Sequence, residues 1–122
     1  MPNATAAEIA EANKDIEAAF AAATDDQKPE AHYVRSLSRL RTHLSNVTQP
    51  AVAEPALLEA QRDLVQAVKL MPTNTIYTNA ATELFTYAAR YSWKDAKLKM
   101  ESEKLQQDLK AARADPPSNE GD

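Results

Sequence analysis

A single glycine, Gly121, stands in the 122 residues, and there is no cysteine. Phosphate-cradling loops, dinucleotide fingerprints, EF-hand loops and nucleophile elbows all require glycine, because their backbone must take φ > 0 or approach a ligand closely. Tight two-residue hairpins favour glycine as well, so a sheet is not expected. Without cysteine there is no disulfide framework, thiolate zinc site or cysteine nucleophile, and a reducing compartment fits best. No apolar run approaches the ~18 residues of a membrane span. The opening MPNATAAEIAEANKD has neither the basic region nor the apolar run of a signal peptide. These features together lead us to expect a soluble, intracellular, cytoplasmic protein with no membrane contact. Asn3-Ala-Thr5 and Asn46-Val-Thr48 have the glycosylation pattern, and without a secretion signal they read as chance matches.

What is present favours helices. Alanine occupies 24 of the 122 positions, and leucine, glutamate and lysine are also frequent, a composition of strong helix formers. Alanine buries little area, so the core must gather the few large apolar side chains. The net charge of −4 is unevenly distributed. Residues 1–30 hold seven acids and two bases, whereas residues 31–50 hold Arg35, Arg39 and Arg41 and no acid. An acidic first helix lying against a basic second one would account for both without a nucleic-acid partner.

The apolar spacing predicts helices over about 5–23, 29–47, 56–71 and 75–114. Thr5-Ala-Ala-Glu8 has the form of a capping box for the first, whose apolar face is Ile9, Ile16, Phe20 and Ala23. Pro29 suits the first turn of the second, whose stripe Tyr33, Leu37, Leu40, Leu44 and Val47 keeps helical spacing. Pro50 to Pro55 reads as a linker. The third helix carries Leu57, Leu64, Val68 and Met71, with Gln61 interrupting the stripe at a core edge or at an inter-helix hydrogen bond. Leu40 and Leu64, mid-stripe, are expected to be buried.

The fourth segment carries a column repeating every seven residues: Tyr77, Leu84, Tyr91, Leu98, Leu105 and Ala112. Such a column stays on one helical stripe. The expectation is an all-α, antiparallel bundle of four helices in a single domain, 1–114, with one long C-terminal helix of about 40 residues. A break near Ser92, where Ser92-Trp93-Lys94-Asp95 resembles a capping box, is the alternative and would make a fifth helix. Residues 115–122 read as a disordered acidic tail.

No catalytic, metal or cofactor constellation emerges. His32 and His43 lie eleven residues apart, ~16 Å along a helix, too far to share a metal. Neither belongs to a recognisable acid–nucleophile motif. The chain therefore reads as a non-enzymatic protein–protein interaction module: an assembly, adaptor, chaperone or inhibitor component. Its partner is another protein or itself, with a homo-oligomer expected. Phe85, Trp93, Leu98, Leu105 and Leu109 are the candidate contact residues, since aromatic anchors dominate interfaces and a lone helix with one apolar stripe is marginal in water. Nucleic acid is the runner-up partner, through the basic face His32, Arg35, Arg39 and His43. An enzyme of unrecognised type is third.

Overall fold

A computed structural model describes residues 6–114, and among them every regular element is helical. The helices are α1 (Ala6–Ala22), α2 (Lys28–Ser45), α3 (Pro50–Leu70), α4 (Thr75–Arg90) and α5 (Ala96–Ala114), with a single 3-10 turn at Asp25–Gln27. None is long and apolar enough to cross a membrane. The capping box expected at Thr5 and the tail from Asp115 lie outside the described residues.

α3 is the centre. It packs against α2, α4 and α5, while α1 packs on the far side of α2. Burial reaches around most of its girth: Leu57, Ala60, Leu64 and Val68 on one side, Glu54, Leu58 and Val65 on another, Asp63 and Ala67 on a third. α1 and α2 run antiparallel, as do α2 and α3, and α3 and α4. α5 runs parallel to α3, because Asp95 meets Glu54 and Ser102 meets Gln61 at the same offset of 41 residues. The Gln61–Ser102 bond is the inter-helix contact that the interrupted stripe of α3 anticipates.

Two expectations about boundaries need correction. Pro50 to Pro55 is not a linker but the first turns of α3. Pro50 occupies the first turn, where its missing N–H has no intrahelical partner anyway. Pro55 forgoes the bond to the Ala51 carbonyl, and both residues sit on the exposed side, where that carbonyl is open to solvent.

The second correction concerns the long helix, which does not exist. α4 ends at Arg90, and Tyr91 to Asp95 turns the chain back. The turn contains neither glycine nor proline, and tertiary contacts hold it. The Glu54 carboxylate accepts the Lys94 N–H at 2.7 Å, the Asp95 N–H at 2.9 Å and the Tyr91 hydroxyl at 3.1 Å. Trp93 Nε1 donates to the Ala88 carbonyl near the end of α4 at 3.1 Å. The cap of α5 is Asp95, whose Oδ1 accepts from the Lys97 and Leu98 N–H groups, and not Ser92. The seven-residue column survives the break because each half faces the core separately. Tyr77 and Leu84 are buried, and Tyr91, Leu105 and Ala112 pack against the same cluster.

Candidate functional site

The inward face of α2 is polar. Its apolar stripe was expected to enter the core, yet Leu37 is 45% exposed and Leu44 54%, and Val47 is also exposed. Leu40 is half-buried rather than buried, whereas Leu64 is buried as expected. The row His32, Arg35, Arg39, His43 points inward instead.

Asp63 of α3 explains the rotation. Its side chain is 3% exposed. Arg35 grips it through Nε (3.2 and 3.0 Å) and Nη2 (2.8 Å), Arg39 Nη1 reaches it at 3.0 Å, and His32 Nδ1 lies 2.9 Å away. From α1, Glu17 takes Arg35 Nη1 at 3.0 Å and Arg39 Nη2 at 2.7 Å. The acidic first helix and the basic second do lie side by side. Phe20 of α1 covers the group, with the Arg35 guanidinium carbon 3.7 Å from its ring centre. The bond to Asp63 raises the Arg35 pKa above its ordinary value, although burial opposes it. Leaving Leu37 and Leu44 half exposed forgoes about 1 kcal/mol each. Stranding Asp63 without its cations would cost roughly 3–5 kcal/mol. The charges decide which side of α2 faces inward.

His43 is fully buried. Its Nδ1 lies 2.7 Å from the Ala53 carbonyl, which can only accept, so Nδ1 carries the proton. Nε2 is then free to accept the Tyr87 hydroxyl at 2.6 Å. Burial raises the pKa values of Tyr77, Tyr87 and Tyr91, and for Tyr91 the bond to Glu54 adds to it. These phenols therefore stay protonated donors at neutral pH.

Turning the polar row inward has a consequence on the surface. α2 and α4 both rest on α3 and scarcely touch one another. Between them runs a groove of about 250 Å³. Leu37, Leu40 and Leu44 form one wall, Ala80, Leu84 and Tyr87 the other, and Leu64 contributes from α3 beneath. Tyr33 and Tyr77 bring α2 and α4 together at one level, with ring centres 5.2 Å apart. His43 and Tyr87 join them at another. Both pairs are 44 residues apart in sequence, so α2 and α4 run parallel in register. The groove is lined mostly by apolar side chains, with Ser36, Glu83 and the Tyr87 hydroxyl as its polar groups.

The structure draws most of the side chains expected to bind a partner into or against the core. Phe85 and Leu109 are buried in the core, and Leu105 and Trp93 are half-buried against it. Leu98 is half-buried beside the Glu54 turn. The surface expected to recruit a partner is largely covered by α3. Of the alternative basic face, Arg35 and Arg39 are ion-paired with Asp63 and Glu17, His32 contacts Asp63, and His43 is buried away from solvent. Among the described residues no three His, Asp or Glu side chains are placed to hold a metal ion.

Sequence reasoning missed Glu54, Glu17 and the centrality of Asp63. The only signal was the excess of acid on the first helix and of base on the second. The groove was hidden because its wall reads as a core stripe. No family, no curated protein and no solved structure matches this chain.

Proposed function

We propose that the protein is a helical protein–protein interaction module and that the groove between α2 and α4 is its binding surface. One observation carries this reading: a row of large apolar side chains, Leu37, Leu40 and Leu44, stays at least partly open to solvent although its spacing would suit a core. Two parallel helices over an apolar floor accept the apolar face of a third amphipathic helix, as in helix-in-groove recognition. Exposed apolar surface in one patch favours such a role over a purely structural one. The cations of the alternative basic face are committed to internal carboxylates, which leaves them poorly placed to release counterions from phosphates.

The test compares proteins retained from the native host by wild type and by Leu37→Glu and Leu44→Glu variants of unchanged helicity. The reading expects specific proteins, further copies of the chain included, to be lost from both variants. An identical retained set overturns it.

A further inference from the structure

We propose that a cavity between α4 and α5 binds a small uncharged amide. The cavity has a volume of about 120 Å³ and lies on another side of α4 from the groove. Gln61 of α3, Phe85 and Ala88 of α4 and Ser102 of α5 line it, and all four are buried. Ala89, Lys99 and Glu103 line it as well and are exposed. The site is therefore closed at its base and open to solvent at its rim.

The base carries an unmet donor. Ser102 donates its hydroxyl to Gln61 Oε1 at 2.9 Å. The other end of that amide, Nε2, is the one buried side-chain nitrogen or oxygen without a hydrogen-bond partner among the described residues. Gln61 is 1% exposed, so bulk water does not serve it. A buried N–H left unmet costs free energy that an acceptor oxygen would recover. Water alone fills the space poorly. The volume is several times the ~30 Å³ of one water, and Phe85 and Ala88 offer it no polar side chain. Trp93, beside them, has committed its ring N–H to the Ala88 carbonyl. An apolar cavity of ~150 Å³ admits benzene, so this one takes a body of up to about six non-hydrogen atoms.

The charges favour a neutral occupant. Lys99 and Glu103 stand one turn apart on α5, and neither forms an ion pair among the described residues. Their opposite charges offset at the rim, so an ion gains little there. A carboxylate brought to Nε2 would give up its water with no buried cation beside it, whereas a neutral carbonyl oxygen loses far less. Gln61 Oε1 has a second lone pair, so an amide ligand can return an N–H to it and bond the same side chain twice. An apolar pair in place of Gln61 and Ser102 would be nearly neutral for stability; recognition of an amide requires the polar pair.

Trp93 is the only tryptophan of the chain and lines the cavity, so its fluorescence reports occupancy. The experiment titrates isobutyramide, and separately the isosteric anion isobutyrate, into the full chain at neutral pH and constant ionic strength. Trp93 emission and the side-chain NH2 resonances of Gln61 are followed together, and circular dichroism confirms the fold of every variant. Isobutyramide is expected to move both signals along one saturable curve with a millimolar dissociation constant. Isobutyrate is expected to bind about tenfold more weakly, or worse. Gln61→Leu combined with Ser102→Ala is expected to weaken the amide about tenfold or more. Ala89→Leu, which fills the rim and leaves the base intact, is expected to do the same. No saturation by isobutyramide up to its solubility limit would leave the cavity to water and overturns the proposal. So does an anion that binds as tightly as the amide, or amide binding unchanged in either variant. Loss of amide binding in Leu37→Glu would place the ligand in the groove and also overturns it.

Discussion

The Glu54 carboxylate accepts the backbone N–H of Lys94 from 2.7 Å away, across forty residues of sequence. That bond and its neighbours at Asp95 and Tyr91 decide that the C-terminal forty residues fold as two helices. An acid 1% exposed at the start of α3 acts as the anchor of a turn with no glycine or proline.

Replacing Glu54 with Ala should therefore cost more than a surface acid would. It removes the shared acceptor of two backbone N–H groups and a phenol at a part-buried site, and a group left unmet there costs up to about 1–3 kcal/mol. Urea unfolding is expected to show a loss of about 3 kcal/mol or more. A loss below half a kcal/mol would mean that packing alone bends the chain at Tyr91.

The Asp63 network allows an internal comparison. Asp63→Ala leaves Arg35 and Arg39 without their buried partner and should cost about 3–5 kcal/mol. Glu17 bonds the same two arginines but is half exposed, and Glu17→Ala should cost no more than about 1 kcal/mol. Equal losses from the two would show that Asp63 is not the organising charge.

Two leucines test which side of α2 and α3 faces the core. Leu64→Ala, at a fully packed position, should lose ~2–5 kcal/mol. Leu37→Ala should lose under about 1 kcal/mol, because the side chain is already half in water. Reversed magnitudes would restore the apolar stripe of α2 to the core.

Gln61 is a polar residue that an apolar core could do without. Its Oε1 accepts the Ser102 hydroxyl at 2.9 Å, while its buried Nε2 has no partner. Replacing both members together, Gln61→Leu with Ser102→Ala, removes the orphan and leaves no new one. The double variant is expected to match or exceed wild-type stability, by up to about 1 kcal/mol. Thermal unfolding that shows it clearly weaker would assign the pair a specific packing role.

Alkaline pH should weaken the protein through three phenols that packing holds in their protonated form. Tyr77, Tyr87 and Tyr91 have pKa values raised above 10.0 in the folded chain. Folding thus favours their protonated form. This contribution to stability is fully present below the unfolded value and is lost as pH climbs through the folded ones. Stability should be insensitive to these groups below about pH 9 and fall steeply above pH 10. Tyrosinate absorbance should rise late and together with loss of helicity. Replacing any of the three by Phe should remove one late component, and a spectrum in which none titrates late would contradict the raised pKa values.

Composition and spacing were enough to determine that every regular element of the described residues is helical and where most helices start. Alanine, leucine and lysine supply the propensity, and Pro29 and Asn74 mark helix entrances through local chemistry that needs no partner. Tertiary structure alone decided the remainder. A 3.6-residue period says that a helix has two faces, not which one a neighbour covers. On α2 the polar face went inside, since Asp63 and Glu17 met its arginines at a cost smaller than leaving them unpaired. The column from Tyr77 to Ala112 could not reveal the break at Tyr91, because two helices packed on one core keep the same apolar phase as one. What bends the chain there is a carboxylate forty residues away, and no local pattern encodes that distance. The groove follows from the same cause: once charge fixed the rotation of α2, its leucines had only the surface left to face.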